Sequence, residues 1–142
     1  MGLPKLVRDI MTASITTIEQ DAKLLDAVLM LRSSGFRHLP VVDGGKLVGL
    51  LSDRDVQRAA PSMFGEVTPE EYNRIFETTP VSRVMVKEPQ TATPDMPIGE
   101  AVGIMHQHKY GALPVVDSSG QLAGILTTTD LLGLLHRVLS GS

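Results

Sequence analysis

A mixed α/β chain made of two copies of one unit is predicted by three observations. Leu39-Pro40-Val41-Val42-Asp43 recurs unchanged as Leu113-Pro114-Val115-Val116-Asp117, and Gly49-Leu50-Leu51-Ser52-Asp53-Arg54-Asp55 is echoed by Gly124-Ile125-Leu126-Thr127-Thr128-Thr129-Asp130. Around each pair of motifs, apolar residues at strand and helix periods follow one another in the same order. A unit that recurs usually needs its copy to close a core, so function is expected where the copies meet.

In chain order, residues 7–11 suit one or two helical turns and lead into a β-rich stretch at 15–18. Asp21 is the expected N-cap of a helix in which Leu24, Leu25, Val28 and Leu31 repeat at helical spacing until Gly35 stops it. Residues 38–42 and 46–51 flank Gly44-Gly45, the pattern of a β-hairpin. Ser52 opens a helix running to Ala60, where Pro61 ends it. In the second copy, residues 81–85 parallel the lead-in and Thr91 parallels Thr17. Ile98, Ala101, Val102 and Met105 form a helical face, and strands at 112–116 and 122–126 enclose Ser118-Ser119-Gly120. A final helix runs from Thr127 or Thr128 towards Leu139. Leu39 and Leu113 lie 74 positions apart and Gly49 and Gly124 lie 75 apart, so the second turn holds one extra residue. A turn absorbs that insertion without shifting strand register.

These patterns divide the chain into a first unit at 1–60, a linker at 61–80 and a second unit at 81–142. Within the linker, Thr68-Pro69-Glu70-Glu71 reads as a helix start, with Thr68 as cap, Pro69 in the first position and the acids facing the helix dipole. Tyr72, Ile75 and Phe76 share one face of that helix, which is expected to pack on the body. Pro40 and Pro114 donate no N–H, which places their strands at edges or cleft rims.

With 142 residues, 42% of them hydrophobic, the chain is long enough for a real core. A net charge of −3 with scattered Lys and Arg disfavours nucleic acid and anionic membranes as partners. Cysteine is absent, which removes disulfides and thiolate metal sites. No signal-peptide core and no run of membrane-spanning length is seen, so a cytoplasmic protein is expected. No nucleophile, base and orienter recur as a set, and His106 and His108, alternate residues on a helix, are poor co-ligands for a metal, so no enzyme is expected.

The duplicated Leu-Pro-Val-Val-Asp strand, followed each time by Gly, an apolar residue, any residue, Ser or Thr and then Asp three residues on, resembles the tandem cystathionine-β-synthase (CBS) domain pair, or Bateman module. The resemblance covers nearly the whole chain. Asp53-Arg54-Asp55 and Pro61-Ser62-Met63-Phe64 are similar, more specifically, to the CBS pair of the bacterial acetoin-utilisation family. The resemblance implies two β-α-β-β-α units packed about a pseudo-two-fold axis, with clefts that in many members take AMP, ADP, ATP, NAD or S-adenosylmethionine. It also implies a homodimer and no obligatory cofactor, with Mg2+ as a companion to the nucleotide.

Residue by residue, Asp55 and Asp130 are the ribose ligands carried over from the family motif, since a carboxylate can accept from two vicinal hydroxyls. Ser52 and Thr127 stand where a strand becomes a helix, a place suited to phosphate, although Ser-x-x-Asp and Thr-x-x-Asp are also capping boxes. Both roles can coexist. Arg37, His38 and Arg54 add cationic partners in the first copy, where the second has Gly111, Ala112 and Thr129. Thr17, Leu39, Pro40, Thr91, Ala112, Leu113 and Pro114 are the expected lining for the base. Pro94 in the second copy, against Gln20 in the first, suggests a differently set loop. The function expected is ligand sensing with output to an unknown effector protein in trans; the alternative is a ligand-independent dimerisation scaffold with vestigial clefts.

Overall fold

A computed structural model describes residues 2–60 and 67–141. Pro61 and the Pro61-Ser62-Met63-Phe64 stretch lie outside the described residues. Two compact units are present, one built from residues 16–89 and the other from residues 1–15 with 90–142. The packing units therefore differ from the sequence repeats: each repeat's lead-in packs with the other repeat's hairpin.

The unit of residues 16–89 contains β1 (Ile18–Glu19), α1 (Leu24–Ser34), β2 (His38–Asp43), β3 (Lys46–Ser52), α2 (Asp53–Ala59), α3 (Pro69–Thr78) and β4 (Val86–Lys87). Its sheet has the order β1-β2-β3-β4, with β1 parallel to β2 and the other pairs antiparallel. Leu24, Leu39, Val41, Leu51 and Val81 are completely buried in its core. Gly35 ends α1 in the left-handed conformation that glycine adopts without a Cβ penalty.

Helix α1 begins after Lys23, later than a cap at Asp21 would place it; Asp26 accepts from the Lys23 N–H at 3.2 Å. The delay has a cause in the backbone. Ser82 N–H donates to Gln20 C=O, Val81 N–H to Ala22 C=O and Leu24 N–H to Thr79 C=O, so residues 20–24 are held by the end of the linker and the second repeat's lead-in. Helix α3 follows the sequence reading: Thr68 Oγ1 accepts from Glu71 N–H at 3.2 Å, Pro69 opens the helix, and Phe76 packs against the core.

The second unit contains α4 (Ile98–His108), β5 (Ala112–Val116), β6 (Leu122–Thr127) and α5 (Thr128–Ser140). Here the outer positions beside the hairpin are single bridges, Ala92 parallel to Val115 and Thr12 antiparallel to Ile125. Val7, from the chain's first 3-10 turn, is completely buried with Leu113, Val115 and Leu126. Val102 is 37% exposed, because the buried stripe of α4 runs through Ile98, Ala101 and Met105.

Equivalent bonds hold both lead-ins. Val7 N–H donates to Met96 C=O at 2.9 Å and Val81 N–H to Ala22 C=O at 2.7 Å. Arg8 N–H to Pro94 C=O and Ser82 N–H to Gln20 C=O are both 3.0 Å. Gln20 and Pro94 thus set the same loop, since the contact uses only a carbonyl, which proline retains. Each hairpin also has the same register shift, between Val41 and Val42 and between Val115 and Val116. The turns differ: Gly44 and Gly45 both take positive φ, whereas Asp117 Oδ1 accepts from Ser119 N–H and Gln121 N–H to shape the longer one.

Pro40 does not mark a sheet edge, whereas Pro114 lies on β5 of a two-stranded sheet, with the Ala92 bridge on its outer side. β2 lies inside its sheet, and Pro40 and Pro114 are fully buried. Pro114 C=O accepts from Ala92 N–H at 2.9 Å. A strand residue's N–H and C=O point to the same side, so the missing donor is turned away from β6 and costs the hairpin nothing.

The glycine that opens each motif makes room for a lead-in. A Cβ at Gly124 would stand 2.8 Å from both Thr12 O and Met11 Sδ, and one at Gly49 would collide with Met85 Sδ. Gly124→Ala is therefore expected to destabilise the chain by ~1–3 kcal/mol in urea denaturation, the range for overpacking a filled site. Gly133→Ala, in open space on α5, should instead be neutral or stabilising by up to about 1 kcal/mol.

Candidate functional site: the two carboxylate motifs

Each motif forms where a hairpin's second strand runs into a helix. His38 pairs with Ser52 at the end of the first hairpin, and Asp53 N–H donates to Arg37 C=O at 3.1 Å. Ser52 is extended and its Oγ accepts from Asp55 N–H at 3.2 Å. Asp55 Oδ2 in return accepts from Ser52 N–H and Ser52 Oγ–H, both at 2.9 Å. The second motif repeats this: Thr127 Oγ1 accepts from Asp130 N–H, and Asp130 Oδ2 accepts from Thr127 N–H at 2.8 Å and Thr127 Oγ1–H at 3.1 Å. Both motifs are thus working capping boxes, with one carboxylate oxygen committed to the cap.

The other oxygen distinguishes them. Asp130 Oδ1 accepts from Thr12 Oγ1–H at 3.0 Å, across 118 positions of sequence. Among the described residues, Asp55 Oδ1 receives no hydrogen bond. Sequence reasoning missed Thr12. The signal was the 74-residue offset, which pairs Thr12 with Val86, but its meaning depends on the exchange of lead-ins.

The helix starts are less open to anions than their sequence suggests. Asp53 and Asp55 N–H groups are engaged by Arg37 C=O and Ser52 Oγ, and Thr128 N–H by Gly111 C=O. Most of the donors expected to receive a phosphate are already satisfied. Cationic side chains remain: Arg37 and Arg54 are exposed near half-buried His38 and Asp55. Burial lowers the His38 pKa below its ordinary 6.5, with Asp53 and Asp55 opposing and Arg37 and Arg54 reinforcing the shift. These five groups form one mixed-charge cluster. The second motif has Gly111, Ala112, Thr128 and Thr129 in the corresponding places, leaving Asp130 as its charged member.

Leu39, Pro40, Leu113 and Pro114 are fully buried and Ala112 is 4% exposed, so their side chains belong to the cores. Thr17 and Thr91 are half-buried, next to β1 and to the Ala92 bridge. A separate cavity of about 390 Å³ lies among α1, α2 and α3, lined in part by Leu25, Leu31, Tyr72 and Phe76. None of the residues expected to hold a ligand lines it. Among the described residues no group of three His, Asp or Glu is placed to hold a metal, and no helix is long and apolar enough to cross a membrane.

Comparison with known proteins gives concordant results. The CBS domain model matches residues 7–62 and 81–137. A CBS domain-containing protein of Dictyostelium discoideum is 37% identical over 94% of this chain and 93% of its own. The chain spans only 24% of a homoserine O-acetyltransferase of Methanococcoides burtonii, at 31% identity. Among solved structures, a putative acetoin utilization protein (AcuB) from Vibrio cholerae is 31% identical with a TM-score of 0.79, covering 98% of this chain and 95% of that one. CBSX2 from Arabidopsis thaliana in complex with AMP is 25% identical with a TM-score of 0.78, covering 95% and 98%. The CBS pair of protein MJ0100, in complex with 5'-methylthioadenosine and S-adenosyl-L-methionine, is 26% identical with a TM-score of 0.76, covering 94% and 98%.

The state of His38 sets an expected pH dependence. Because folding lowers its pKa, the unfolded chain binds more protons in acid, so stability is intact above 6.5 and falls as pH drops through the folded-state value. Urea denaturation between about pH 8 and about pH 5 should show that loss, and His38→Gln should flatten it.

Proposed function

The chain belongs to the CBS domain family and carries the domain in tandem; on that premise we propose that it is a regulatory module that binds an adenosine-containing ligand and relays its occupancy to a partner protein. The observation that carries this reading is the Asp55 carboxylate. Ser52 fixes its orientation through Oδ2, while Oδ1 is left able to accept from a vicinal diol. Arg37, Arg54 and His38 stand in the same cluster and suit the phosphates of AMP, ADP or ATP, with Mg2+ accompanying a triphosphate. The complexes of CBSX2 and MJ0100 with adenosine compounds support the ligand class. A relay fits relatives in which the same module is nearly a whole chain or about a quarter of one.

The scaffold reading has its own support. On α5, Leu132, Leu135 and Leu139 are 63%, 49% and 77% exposed, an apolar stripe suited to a homodimer contact. It does not conflict with ligand binding, and the two readings separate in one measurement. Under the sensor reading, AMP, ATP or S-adenosylmethionine raises the melting temperature progressively with concentration, by about 2.7 kcal/mol of stability at a hundredfold excess over Kd. Arg37→Ala should weaken the response to the phosphorylated ligands. No shift with any of the three leaves the scaffold reading alone.

A further inference from the structure

The two motifs share a backbone and a cap, but they differ in how much of the carboxylate is left over. We propose that the chain has one ligand-competent motif, at Asp55, and that Thr12 closes the other by occupying Asp130. This inference rests on the nucleotide reading above and adds to it the number of sites and the residue that decides it.

Each carboxylate oxygen can accept two hydrogen bonds. At Asp130, Oδ2 is filled by the Thr127 N–H and hydroxyl, and Oδ1 has given one of its places to the Thr12 hydroxyl at 3.0 Å. One place remains, whereas a ribose diol brings two donors. At Asp55, Oδ2 is filled in the same way by Ser52, and among the described residues Oδ1 keeps both places. The difference traces to one substitution between the lead-ins. Thr12 bridges Ile125 as Val86 pairs with Leu50, so the two occupy equivalent positions, and valine has no hydroxyl to donate. Thr12 is held there by reciprocal backbone bonds of 2.9 Å with Ile125, so its side chain does not have to search for the carboxylate. A diol arriving at Asp130 meets a preorganised partner; at Asp55 no described residue holds Oδ1. The charges point the same way, since His38 interacts with Asp55, Arg37 and Arg54, and the positions corresponding to the three cations in the second motif are uncharged.

Isothermal titration of the whole chain with AMP tests this directly. The wild type is expected to take one AMP per chain, Asp55→Asn to lose at least about tenfold in affinity, and Thr12→Val to take a second equivalent. Thr12→Ser, which keeps the hydroxyl, should still take one. Val86→Thr, at a half-exposed position that tolerates the change, should weaken AMP binding at the first motif. Circular dichroism confirms that each variant is folded. Two equal sites in the wild type, full affinity in Asp55→Asn, or one equivalent in folded Thr12→Val would each overturn the proposal while sparing the nucleotide reading. Absence of binding by AMP, ATP and S-adenosylmethionine alike would overturn both.

Discussion

The close approach of a lead-in backbone to the glycine at the head of each motif is the constraint on which the rest of this structure depends. Gly49 and Gly124 have no room for a Cβ because Met85 and Val86 press on one, and Met11 and Thr12 on the other. That contact lets a segment from the opposite repeat lie beside the second hairpin strand, and it buries Val81 in one core and Val7 in the other. Neither hairpin closes its core with residues of its own repeat alone. A sequence repeat and a packing unit are therefore different objects in this chain, and the exchange is what makes the duplication useful.

The same contact reaches the chemistry. Thr12, beside β6, donates to the carboxylate in the first turn of the following helix, whereas Val86, at the equivalent place beside β3, has no hydroxyl to donate. Threonine at one position and valine at the other leave two nearly identical motifs with one acceptor place and two. The cap does not compete with this role. By committing Oδ2, Ser52 and Thr127 fix the carboxylate in one orientation and so determine where Oδ1 points. Stability and recognition draw on different oxygens of the same group.

Most of the fold was legible in the sequence, because its signals are local. The hairpins, the turn glycines, the Thr68 cap and the motif helices follow from neighbouring residues, and the structure places them where the pattern does. The misplaced features are those settled by distant partners. The start of α1 was read at Asp21, but backbone bonds from residues 79–82 delay it. The sequence places Pro40 at an edge or cleft rim, but β1 pairs with β2 on the side away from β3. At the site, the motif residues and their capping alternative were legible. Thr12 was not: a hydroxyl 118 positions from its carboxylate has no local signature. Leu39, Pro40, Leu113 and Pro114 have their side chains in the cores, which leaves their backbones as what they could offer a base.

A crystal structure determined with AMP tests the central claim most directly, because it reads the two carboxylates separately. The ribose hydroxyls should lie on Asp55 Oδ1, with the phosphate towards Arg37 or Arg54 and the Thr12–Asp130 hydrogen bond intact. A ribose bound to Asp130, with Thr12 displaced and Asp55 unoccupied, would contradict the account.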